Sequence, residues 1–201
     1  MNNFLSFLFL FLILTGCQNR PDCNVNDRVL KENDSILLDV KVKKSFSIFL
    51  NKMKEPELRS FGGESYRFII RGPFGDNEIY RVSKGSDGYV ISSKRYLGHF
   101  DKNYNWEETA IDSLTDEKKS LIDASKWKEF KKNIDQLNFW TLPVKINDNH
   151  YLDGTSYLIE SYNSKGNECT NRFYHATVRI SPNDTTLYKS LFKRVQKLSS
   201  E

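Results

Sequence analysis

The residues best suited to chemistry gather in the last third of the chain. Asp153, Glu160 and His175 fall on or beside one expected hairpin, where a carboxylate could orient an imidazole for general-base work. Residues that pair across a turn lie equally far from it, and by that rule Glu160 falls nearer Cys169 or Thr170 than His175. The plainer reading makes Asp153-Gly154 a turn, pairs Glu160 with Arg172 or Arg179, and leaves His175 as a hydrogen-bonded structural residue. His99, His150 and His175 are the only histidines, and none has another His or Cys at short metal-ligand spacing. Nucleophile elbow, phosphate loop, dinucleotide fingerprint and paired-His zinc motif are all missing from the sequence. No metal and no cofactor is expected.

A second constellation suits recognition rather than reaction. Alternation in the first strands places Tyr66, Phe68, Ile70, Tyr80 and Val82 on one side and Arg67, Arg71 and Arg81 on the other, interleaved with Ile69 and Ile79. Such a basic and partly apolar patch fits an acidic protein surface or an anionic envelope group, unless it is simply a solvated face with Glu64 among its cross-strand partners. Trp106, in a polar loop beside Tyr104, belongs to no periodic stripe and is the fourth candidate binding residue.

The N-terminus carries an address. Phe4 to Leu14 is apolar except for Ser6, and at ~1.5 Å per residue a helix of that length reaches roughly 16 Å, short of the ~30 Å of a hydrocarbon core. It has the proportions of a signal peptide, although no Lys or Arg precedes it. Leu14-Thr15-Gly16-Cys17 resembles the bacterial lipobox at all four positions. That resemblance implies lipid transfer to the Cys17 sulfur, cleavage before Cys17, and a membrane anchor of two or three acyl chains of the palmitate type. Gln18 stands where an inner-membrane retention signal would have Asp, which favours the outer membrane of the envelope.

Removing residues 1–16 leaves 185 of 201 residues, enough for one domain with a real core. Residues 17–35 read as the lipidated N-terminus and flexible tether, and 36–201 as the domain. Thirty basic and twenty-six acidic side chains give a formal charge of +4, mixed along the chain and too weak to argue for nucleic acid. Beyond Cys17 the cysteines are Cys23 and Cys169, which could pair in an oxidising envelope or remain free.

The elements that must position these residues follow from periodicity. Phe46, Phe49 and Met53 recur at helical spacing up to Pro56. Strands follow over 64–71, 78–83 and 89–96, separated by Gly-rich turns. A polar loop is expected around 101–112, then a helix through Trp127, Phe130, Ile134 and Leu137 that Asp123 or Ser125 can cap. A hairpin of 155–162 with 168–177 and a last helix after Pro182 complete the set. The simplest way to bury these stripes is an α+β domain, a largely antiparallel sheet of about five strands with helices on one face. The order of Glu64-Ser-Tyr66-Arg67-Phe68, Phe139-Trp140-Thr-Leu-Pro143, Asp153-Gly154 with Glu160, and Tyr174-His175 through Arg179-Ile-Ser-Pro182 is similar to that in uncharacterised bacterial envelope proteins, and implies no activity. The expected function is a non-catalytic binding module anchored in the envelope, of immunity, inhibitor or accessory type. The alternative is an envelope hydrolase using His175 with Glu160 or Asp153.

Overall fold

The computed structural model describes residues 47, 50–51, 53–72, 76–85, 88–99, 110–144, 154–183 and 185–201. Six strands, β1 (Glu64–Arg71), β2 (Asp76–Gly85), β3 (Gly88–His99), β4 (Ala110–Ile122), β5 (Ser156–Asn163) and β6 (Tyr174–Ile180), form one sheet in the order β4-β3-β2-β1-β5-β6. Every neighbouring pair is antiparallel. With two helices, α1 (Ala124–Gln136) and α2 (Leu187–Ser200), this is the expected α+β fold with one strand more than the count of about five.

Both helices lie on the face that the alternation marks as apolar. Tyr66, Phe68, Tyr80, Val82, Ile91 and Ile159 meet Trp127, Phe130 and Ile134 of α1 and Tyr188, Leu191, Phe192 and Val195 of α2 in one core. The α2 positions recur at three, four and seven residues, which puts them on one side of a helix. Edge-to-face contacts carry much of the packing: Phe68 meets Phe192 at 5.3 Å and Tyr66 meets Phe130 at 5.2 Å between ring centroids. Helix starts are set by short side chains. Asp123 accepts from the Lys126 N–H and Thr186 from the Lys189 N–H, each satisfying a donor the helix leaves open.

Two elements depart from the sequence expectation. Strand β4 begins inside the expected polar loop, at Ala110, and continues over residues 113–122, for which no element was expected because exposed charges such as Lys118 and Lys119 break the apolar alternation. β4 is the last strand of the sheet, where charge is tolerated and unwanted pairing with other chains is discouraged. The last strand, β6, begins at Tyr174 rather than at 168. The intervening residues 164–173 form a compact loop, in which the Asn167 carboxamide oxygen accepts from the N–H groups of Cys169 and Thr170 and from the Thr170 hydroxyl. Local side-chain bonding of this kind competes with the strand ladder and wins there.

The other sheet face is covered too. Leu50 and Met53 pack on Ile69, Ile79 and Tyr96, and residues 53–61 run on as a strap that ends in the single turn Leu58–Phe61. Ser47, Leu50 and Asn51 are helical, as the spacing up to Pro56 predicts, while most of that segment lies outside the described residues. No described helix is long and apolar enough to cross a membrane.

Candidate functional site

Beneath the strap the sheet carries a row of charge. Register sets Glu160 of β5, Arg67 of β1 and Arg81 of β2 side by side, and Lys94 of β3 stands two pairs further along on the same face, opposite Ile79. Two arginines directly opposite one another repel, so an anion between them is required. Glu55 of the strap supplies it. Its carboxylate lies 2.6 Å from an Arg81 guanidinium nitrogen, 2.9 Å from the Lys94 ammonium and 3.3 Å from Arg67 Nε. Arg67 also binds Glu160 at 2.6 Å and donates to the Pro56 carbonyl. The Lys94 ammonium donates to the Lys54 carbonyl at 2.9 Å, and Arg81 stacks 4.5 Å above the Phe61 ring. Half-exposed Glu117 of β4 stands 3.5 Å from the same ammonium.

This corrects the reading of Arg67 and Arg81 as a surface patch. Arg67 is 0% exposed, and Arg81 is largely covered by the strap. Arg71 lies on the same face, partly buried beside Tyr96. Alternation identified the face correctly, and the error lay in leaving that face open. Glu55 and Lys94 went unrecognised as partners, although several cations on one face of adjacent strands were themselves a signal that an anion must sit over them.

The electrostatics follow from the geometry. Burial would raise the Glu55 carboxyl, but Arg81, Lys94 and Arg67 together outweigh it and hold the group below its usual value. Glu160 is raised, because burial there exceeds what Arg67 and a hydrogen bond from Tyr174 return. A carboxylate shared among three cations is a poor base, so the cluster is built to fix a charge rather than to move a proton.

His175 is not part of it. In the β5–β6 register Glu160 stands opposite Ala176 and Ser161 opposite His175, so the imidazole points to the helix face while Glu160 points to the strap. There His175 is fully buried, its ring 5.0 Å from that of Phe139 and 6.4 Å from that of Trp140. A His175–Glu160 pair is thereby excluded, since successive strand residues point to opposite faces. Glu160 takes Arg67 as its partner, where Arg172 or Arg179 was expected. Asp153, Trp106, His150, Cys17 and Cys23 lie outside the described residues. Among the described residues no group of three His, Cys, Asp or Glu is placed to hold a metal ion.

Cys169, in the loop before β6, is disulfide-bonded. Compared with protein-family models, curated proteins and solved structures, the chain matches none. The site must therefore be read from its own chemistry.

Proposed function

We propose that the chain is a lipoprotein of the bacterial cell envelope, anchored through Cys17, whose domain works as a non-catalytic binding module. The observation that carries this reading is the disulfide at Cys169, because such bonds persist in oxidising compartments outside the cytoplasm. It agrees with the address written by Leu14-Thr15-Gly16-Cys17. The divergence of His175 and Glu160 removes one geometry the hydrolase alternative needed and favours binding over catalysis. Any acidic protein partner that uses Arg67 and Arg81 must first displace Glu55, since the strap already supplies their carboxylate. Gln18 favours the outer membrane as the anchoring surface.

Lipid attachment forms a carbon–sulfur bond between the Cys17 sulfur and a glyceryl carbon of a phospholipid while that carbon's bond to the phosphate headgroup breaks, and the thiol proton is lost as the headgroup leaves. Substituting Cys17→Ser should therefore abolish metabolic labelling by a fatty acid and leave the precursor uncleaved. Equal label in the wild type and the variant would refute the anchor.

A further inference from the structure

We infer that the partner of Cys169 is Cys23, and that this bond fastens the domain close to the membrane with the β5–β6 loop facing the lipid. The inference rests on the lipoprotein reading above. The sequence has three cysteines, Cys17, Cys23 and Cys169, and Cys169 is disulfide-bonded. A sulfur bonded both to its own Cβ and to a glyceryl carbon has no thiol left to oxidise, so lipidation of Cys17 leaves Cys23 as the partner. Two thiols surrender two protons and two electrons to a protein disulfide of the envelope, which is reduced to its dithiol as the Cys23–Cys169 bond forms.

The consequence is a matter of length. Six residue steps separate Cys17 from Cys23, a leash of about 20 Å when fully extended. Without the bond, the first described residue, Ser47, lies thirty steps from the anchor, about 100 Å of extended chain. The sheet itself, at ~4.8 Å per strand gap, is roughly 24 Å wide from β6 to β4. A leash shorter than the sheet is wide, attached beside β6, holds that side of the domain against the membrane and turns β4 away.

The loop is suited to that position. Residues 164–173 are fastened by their own hydrogen bonds, including the Asn167 N–H to the Arg172 carbonyl at 2.8 Å, so they form a firm platform. Phe173 is 55% exposed at its end, Lys165 and Glu168 are exposed along it, and the Tyr174 hydroxyl turns inward to Glu160. Lys165 and Arg172 against the one carboxylate, Glu168, leave the loop net positive, and with the exposed Phe173 ring that fits the interface of an anionic phospholipid bilayer.

The test uses full-length protein extracted from envelopes after fatty-acid labelling and cleaved without reduction. Cleavage before Asp22 separates Cys17 from Cys23. The expected result is label on the Cys17 fragment and a disulfide-linked fragment joining Cys23 to Cys169. Labelled Cys17 with alkylatable thiols at both Cys23 and Cys169 would overturn the inference and spare the lipoprotein reading. Unlabelled Cys17 joined to Cys169 would overturn both. For orientation, lipidated protein is placed in vesicles of phosphatidylethanolamine and phosphatidylglycerol with brominated acyl chains. The fluorescence added by Phe173→Trp should be quenched at least twofold more than that added by Leu121→Trp on β4, and Cys23→Ser should erase the difference. Equal quenching at the two positions, or a difference that survives Cys23→Ser, would overturn the orientation.

Discussion

The two faces of this sheet are closed by opposite means. On one, Tyr66, Phe68, Tyr80, Val82 and Ile159 meet the aromatic and aliphatic stripes of two capped helices. On the other, beside the small apolar cluster of Leu50 and Met53 with Ile69, Ile79 and Tyr96, a strap without regular structure beyond one short turn carries Glu55, whose carboxylate serves three cations from three strands. Apolar burial tolerates exchange among side chains of similar shape, whereas a buried carboxylate under three cations has no neutral substitute. The difference teaches that the helix face supplies bulk stability while the charged face specifies where one segment of chain must lie. Charges that would read as a docking surface on an open sheet here serve the fold.

The sharpest way to break that contrast is to remove the anion. Glu55→Gln leaves Arg67, Arg81 and Lys94 buried with one counter-charge fewer, and should cost about 3–5 kcal/mol in denaturant unfolding. The cost depends on pH with a definite sign. Because the folded Glu55 carboxyl lies below its ordinary value near ~4.3, its contribution is complete above that value and is lost as the pH falls through the lowered folded one. The gap between wild type and Glu55→Gln should accordingly close in acid. A gap that widens in acid would contradict the network.

On the helix face a polar deletion of comparable burial should matter less. The Tyr188 hydroxyl lies 2.9 Å from the Thr177 carbonyl and 3.0 Å from that of Tyr157, tying α2 to β5 and β6. Tyr188→Phe should cost about 1 kcal/mol, because the ring keeps its packing and only a neutral hydrogen bond is lost. The smallest effect belongs to neither interior. Leu121, 75% exposed on β4, should tolerate Ser within ~0.5 kcal/mol, and a larger loss in thermal unfolding would show that another part of the chain covers it.

The same contrast explains what could be read in advance. Stripes such as Tyr188, Leu191, Phe192 and Val195 announce the helix face, because apolar side chains at helical spacing have few other uses. Strands β1, β2 and β3 were legible from alternation and from glycines at their turns. Strand β4 was not, since an edge strand needs no run of apolar residues and Asp116-Glu117-Lys118-Lys119 leaves no apolar alternation to mark it. Arg67 and Arg81 were placed on the correct face and assigned the wrong surroundings. Nothing in their spacing identifies Glu55, twelve residues upstream of Arg67, as the group that covers them, because a strap has no period. The opposed directions of Glu160 and His175 follow from register, which strand signals alone left unfixed.

The central claim is that the arginines of the strap face are occupied within the chain. A double-mutant cycle between Glu55→Gln and Arg81→Met, read by denaturant unfolding, tests it most directly. A buried ion pair at 2.6 Å predicts coupling above about 1.5 kcal/mol, with the double variant recovering part of what each single variant loses. Additive losses, with coupling below about 0.5 kcal/mol, would contradict the account and leave Arg81 free for a partner from outside.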